Sequence, residues 1–316
     1  MILTVSVLLL LPIAAIVALY VPLSSTFSVE ATTGYLRVKS IDKTLQWHVE
    51  NATVTLDPLL GDFEPILFTG QIEVFPDTLT QFQIGPDREM LVEISRPEGG
   101  PVARFSNATD EPDPVLDGDV VIVVPAASAT SVVWPIIGHV VLGDVAVERI
   151  SSARLFLNKA RVTVLGKSLL SDARFEAGEH QLTMGDRLEI LGCPPTSALF
   201  TSLFRACAAP TTAFGLVTTT PAPDSFLRVS YHAHGRRGLV DRFGTRGFEI
   251  RPSVWARLAS DPVFQTLLLV VAPLMPALAA VLGVALRREV LYQRQRRLPP
   301  ANHDENGMHS GRHGRA

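Results

Sequence analysis

The chain contains two cysteines, Cys193 and Cys207, which bracket the stretch "PPTSALFTSLFRA". A cysteine pair can form a structural disulfide, ligate a metal, or act as a reactive thiol with its resolving partner. A zinc site needs His or acidic ligands that this stretch lacks, and redox pairs usually show C-x-x-C spacing. A disulfide is the expectation, provided the segment lies outside the cytoplasm. Closing a loop of about 15 residues would contribute on the order of 3 kcal/mol in a chain-entropy treatment. Within it, Leu199, Leu203 and Ala206 recur at helical spacing, with Phe200 and Phe204 alongside.

Other residues with chemical potential lead to structural readings. His232 and His234 alternate on a predicted strand, so both project to one face and would offer a metal two ligands. No third ligand is evident, so a half-exposed polar pair is expected, and no metal or other cofactor is assigned. His303, His309 and His313 are spaced irregularly in a polar tail. Asp117 and Asp119 are the kind of carboxylates a glycosidase pairs, yet they flank a glycine in a turn-forming stretch. The sequence "VLGKS" (164–168) echoes the end of a phosphate-binding loop, but Arg161 stands where the earlier glycine is required. G-x-S-x-G, H-E-x-x-H and Gly-rich dinucleotide fingerprints are absent from the sequence. Asn51-Ala-Thr53 and Asn107-Ala-Thr109 fit the N-glycosylation sequon and matter only in a host that glycosylates.

The elements that would position these residues are framed by two apolar runs. Ile2–Leu23 carries no charge over 22 residues, and Pro262–Leu286 is similarly long and uncharged. At 1.5 Å per residue each is long enough to cross a hydrocarbon core of about 30 Å. After the second run come Arg287, Arg288, Arg294, Arg296 and Arg297, which predicts a cytoplasmic C-terminus by the positive-inside rule. Arg37, Lys39 and Lys43 follow the first run and taken alone favour the reverse orientation; the Arg cluster is denser and adjacent. The expected location is therefore a cell membrane, with the main domain extracytoplasmic, periplasmic in a double-membrane bacterium. Residues 1–30 read as a signal anchor or signal peptide, with Val29-Glu30-Ala31 as a cleavage-like triplet.

The net charge of −3 divides into +4 from Arg287 onward and −7 before it. An acidic body of this kind lacks the clustered basic face that nucleic-acid binding requires. The Arg cluster instead suits anionic lipid headgroups.

Between the runs, "YLRVKSI", "LQWHVEN", "ATVTLDP", "QIEVFPD", "MLVEISR", "DVVIVVP", "RVTVLGK", "RLEILG" and "FLRVSYHAH" read as strands. The predicted class is mainly β, with sandwich or barrel-like extracytoplasmic units flanked by the two transmembrane-type segments. Proline-rich stretches suggest a first unit at 31–108 and a second at 115–251, followed by a transmembrane helix at 262–286 and a basic cytoplasmic tail, partly disordered, at 287–316. "APTTAFGLVTTTPAPDS" (209–225) reads as an extended excursion rather than a strand. "SVWARLA" (253–259) reads as a short helix. Gly-Asp recurs in "LLGDF", "LDGDVVIVV", "VLGDVAVERI" and "TMGDRLEIL", a turn-then-strand signature in which the Asp side chain bonds nearby backbone N–H groups.

These features predict a membrane-anchored envelope protein with a non-catalytic interaction or scaffolding role, its partners the lipid bilayer and another envelope or membrane protein. An envelope hydrolase acting on a sugar polymer, or an accessory or sensor subunit of a membrane transporter, are the alternatives. The Ala/Gly-containing "PALAAVLGVAL" would suit the last by allowing close helix packing.

Overall fold

The computed structural model describes residues 24–41, 45–56, 65–106, 114–129, 132–143, 156–192, 209–221, 225–242 and 245–273, with the helical residues 276, 280, 283–284 and 287–288. Over these residues the protein is mainly β, an antiparallel system of 18 strands. All nine stretches predicted as strands lie wholly or largely within strands. Two compact units are present, one reaching to Pro262 and one from Val263 onward.

One ladder of the β unit has β1 (Ser25–Thr33) near its centre. β1 pairs on one side with β11 (Leu157–Lys167), which pairs in turn with β12 (Arg174–Leu182). On the other side it pairs with β16 (Leu227–Gly235), followed by β15 (Ala213–Thr219) and the first half of β10 (Trp134–Leu142). Inward positions alternate with outward ones: Phe27, Val29 and Ala31 of β1 are buried, as are Val229, Tyr231 and Ala233 of β16.

β15 corrects the sequence reading of 209–225 as an excursion. Ala213–Thr219 is hydrogen-bonded between β10 and β16, with Ala213 and Val217 buried. The threonines that suggested low complexity are β-favouring residues here.

The second half of β10 belongs to a longer ladder. His139–Leu142 pairs with β2 (Tyr35–Lys39), while Val141 and Leu142 also face β13 (Asp186–Gly192). From β13 the ladder continues to β17 (Arg237–Arg242) and β18 (Thr245–Ile250), and at its end to β14 (Ala209–Pro210). From β2 it runs through β5 (Leu79–Ile84), β6 (Met90–Ser95), β9 (Val120–Val124), β3 (Leu45–Leu56), β4 (Ile66–Val74), β7 (Pro101–Ser106) and β8 (Val115–Asp117). Thus β8, at the end of the proline-rich stretch 109–119, and β9, which follows it, pair with strands that precede it.

Gly138 is the pivot where β10 leaves one ladder for the other. Its φ is +154°, and a Cβ there would lie 2.1 Å from the Lys39 carbonyl oxygen. Glycine permits both the conformation and the close approach.

Trp47 on β3 packs edge-on against Phe82 on β5, with ring centroids 5.7 Å apart, although β9 and β6 separate those strands in the ladder. The ladder therefore folds over on itself. Trp134 completes the cluster at 5.1 Å from Trp47 and 6.1 Å from Phe82, and Trp47 Nε1 donates to the Pro135 carbonyl. Edge-to-face rings of this kind add about 0.5–1.5 kcal/mol per pair beyond their buried area. Phe27 Cε1 stands 3.7 Å from where a Cβ on Gly238 would be, so β1 and β17 face each other across the core.

The described helical segments include α1 (Ala126–Ala129), α2 (Val254–Ala259) and α3 (Pro262–Val271). α2 is the helix expected from "SVWARLA", with Ser253 Oγ accepting the Ala256 N–H at 3.0 Å as its N-cap. Among the described residues no helix is long and apolar enough to cross a membrane. The first apolar run, the Cys193–Cys207 segment, Arg294, Arg296, Arg297, Asn107 and the tail histidines lie outside the described residues.

Candidate functional site

The outward face of the β1 ladder sets its residues in registered rows. In one row Arg161, Glu30 and Ser230 lie side by side, with Leu216 beyond; in the next stand Lys159, Thr32, Arg228 and Thr218. These two rows border a cleft of about 530 Å³, whose lining includes Glu30, Lys159, Arg161, Gln181, Thr220 and Arg228. Three cations against one carboxylate give this cleft a positive balance, although the whole chain is acidic. Arg161 also pairs with Glu179 at 3.1 Å.

Further along the same face the rows become aromatic and imidazole-bearing. His232 stands between Ser28 and Phe214, and His234 faces Thr26, whose hydroxyl lies 3.0 Å from Nδ1. Both histidines are exposed and share one face, as their alternation predicts. Among the described residues no group of three or more His, Cys, Asp or Glu is placed to hold a metal. Phe214 and Leu216 remain 48% and 49% exposed, next to the edge formed by β10. This surface can hold an anionic group and cover apolar area. The described hydroxyl–imidazole contact on it is Thr26 Oγ1 with His234 Nδ1.

The remaining sequence candidates occupy structural positions. Val164–Lys167 of "VLGKS" are extended backbone inside β11, paired on both sides at Val164 and Leu165. Asp117 ends β8, and Asp119 follows the turn at Gly118, whose φ is +87°. Asn51 is exposed on a bulge of β3 at φ +54°, its N–H bonded to Thr69 Oγ1. Arg287 and Arg288 are helical and exposed. Val29, Glu30 and Ala31 lie in the middle of β1, bonded to strands on both sides.

The Gly-Asp turn at Gly185-Asp186 behaves as its sequence suggests. Gly185 has φ +85°, and Asp186 Oδ2 accepts the Thr183 N–H at 3.0 Å. Beyond the sequence expectation, the fully buried Asp186 carboxylate takes a two-pronged bond from Arg242, with Nε to Oδ1 at 2.7 Å and a terminal nitrogen to Oδ2 at 2.8 Å. That guanidinium holds the Asp186 carboxyl below the usual carboxylate range, against the opposing effect of burial.

A second polar cluster surrounds α2. Arg257 is 5% exposed; its guanidinium donates to the Lys167 carbonyl at the end of β11 and to Ser25 Oγ at the start of β1, both at 2.8 Å. Burial lowers the pKa of Arg257 from its ordinary value, yet a guanidinium remains protonated at physiological pH. Asp261, fully buried, accepts the N–H groups of Leu170 and Ser171 at 2.6 and 3.0 Å. Ser25 and Arg257 are separated by 232 residues, so local sequence carried no signal of this contact.

Comparison with protein-family models, curated proteins and solved structures yields no match.

Proposed function

We propose that this chain is a membrane-anchored protein whose extracytoplasmic β unit serves a non-catalytic interaction or scaffolding role. The observation that carries the anchoring is α3. Val263, Leu267, Leu268, Leu269 and Val270 on this ten-residue helix are all between 48% and 76% exposed. Apart from Gln265 and Thr266 this helix presents apolar side chains, which suits lipid or a protein interior, and its sequence continues uncharged to Leu286 before Arg287 and Arg288. That flank favours a cytoplasmic C-terminus, with Cys193 and Cys207 joined in an extracytoplasmic disulfide.

The position of Val29–Ala31 bears on the first apolar run. Cleavage after Ala31 would remove most of a strand bonded on both sides, so retention of this run as an anchor, or cleavage before Ser25, fits the fold better. The outward face of the β1 ladder supports the interaction role: it joins a cationic cleft to the half-exposed Phe214 and Leu216, features suited to an acidic protein partner with some apolar surface.

A photo-crosslinking amino acid at position 216, in the full chain expressed in its membrane, tests the role. A discrete adduct with a membrane or envelope protein, lost on Arg228→Glu, is expected. Absence of any adduct from positions 214, 216 and 228 would count against it.

A further inference from the structure

Arg257 and Asp261 do more than stabilise α2. The first apolar run ends at Leu23, two positions before Ser25, and the second begins at Pro262, immediately after Asp261. Arg257 bonds Ser25 directly, and through the Lys167 carbonyl it also holds the end of β11. Asp261 fixes the loop that follows β11, and Ser168 Oγ reaches the Ser260 carbonyl at 3.5 Å. The two points where the β unit joins the apolar runs therefore lie side by side.

The side chains at this end have a matching character. Trp255 on α2 is 76% exposed and Leu170 in the adjoining loop is 55% exposed, while Lys167 keeps 48% of its side chain accessible. Tryptophan is enriched at membrane–water interfaces, where its apolar ring meets the headgroups and its N–H stays solvated. Lys167 pairs with the exposed Asp172, so the interfacial character of this end rests on Trp255 and Leu170.

We infer that this end of the β unit is its bilayer-facing surface, with Trp255 and Leu170 seated in the lipid interface and both apolar runs leaving toward the membrane from one place. The inference rests on the membrane-anchored reading, and chain continuity is what selects lipid over another occupant. Arg257 then acts as a tie between the two attachment points. An inserted N-terminal run and the C-terminal run would constrain each other through one guanidinium and a short stretch of β11.

The test uses the full chain in phosphatidylcholine–phosphatidylglycerol vesicles, with the phosphatidylcholine either unmodified or brominated on its acyl chains. Flotation on a density gradient reports anchoring. Tryptophan emission reports the face, because Trp47 and Trp134 are buried in the core at 1% and 0% exposure and Trp255 is the remaining tryptophan. Expected is flotation, a partial loss of emission in brominated vesicles, and disappearance of that loss in Trp255→Phe. Trp255 is mostly exposed, so this substitution removes no core packing. Flotation with bromination-independent emission that acrylamide still quenches would overturn the inference while leaving the anchoring intact. Emission protected from both quenchers would also overturn it, pointing to a protein cover. Failure to float would overturn both readings.

Discussion

Replacing Asp186 with Asn keeps the side-chain shape while removing its charge, and the structure sets the size of the effect. The carboxylate accepts two bonds from Arg242 and one from the Thr183 N–H. An amide oxygen can replace one carboxylate oxygen, but its NH2 would then confront a guanidinium donor. Bonds to charged groups contribute about 1.5–3 kcal/mol each. Arg242 is 41% exposed and can be rehydrated, so a net loss of about 3 kcal/mol is expected rather than the full sum. For a β unit of this size that corresponds to a melting-temperature decrease of roughly 6–12 °C. The assay is thermal unfolding of the full chain in detergent, followed by near-ultraviolet circular dichroism across a pH series. Because Asp186 has a lowered folded-state pKa, its contribution is fully present above an ordinary carboxylate pKa of about 4 and is lost as pH falls through the folded value. The difference between wild type and variant should therefore be constant near neutrality and shrink in acid. A decrease below about 2 °C at pH 7, or a difference unchanged down to pH 2, would refute the reasoning.

Further outcomes follow from the core. Gly138→Ala should destabilise by about 3 kcal/mol or more, measured by denaturant unfolding, because the new methyl meets the Lys39 carbonyl at 2.1 Å and the backbone has φ +154°. The Tyr231 hydroxyl is buried with no hydrogen-bond partner among the described residues, and burial pushes its pKa up. Tyr231→Phe should leave stability unchanged or raise it by about 1 kcal/mol in the same assay. Burial lowers the pKa of His139, outweighing the Glu189 carboxylate 3.1 Å away, while Arg37 and Arg187 add to the lowering. The neutral ring is thus favoured in the fold. Its contribution is present above the ordinary value of about 6.5 and is lost as pH falls toward the folded value. His139→Gln should flatten that part of the stability profile.

Individual strands were legible where residue alternation was strong. "FLRVSYHAH" gives the buried and exposed alternation of β16, and "RVTVLGK" lies within β11. β1 was obscured because Val29-Glu30-Ala31 also satisfies a cleavage pattern, although Phe27, Val29 and Ala31 share a core-facing side. β15 was obscured by its threonines and the prolines around it. Pairing was not legible at all, since strand alternation specifies a face and not a partner. β1 finds β11 and β16 more than a hundred residues later. The cationic cleft has the same origin: Lys159 and Arg228 are brought together only by their shared neighbour Thr32. Sequence alone showed the turn at Gly185-Asp186, but its Arg242 partner required the fold.

Membrane-impermeant thiol labelling of Cys193 and Cys207 in intact cells, before and after reduction, tests the central claim most directly. The account predicts labelling from outside only after reduction, as expected for an extracytoplasmic disulfide joined to a membrane-anchored β unit. Thiols already reduced, and unreachable until the membrane is breached, would place the β unit on the cytoplasmic side and contradict it.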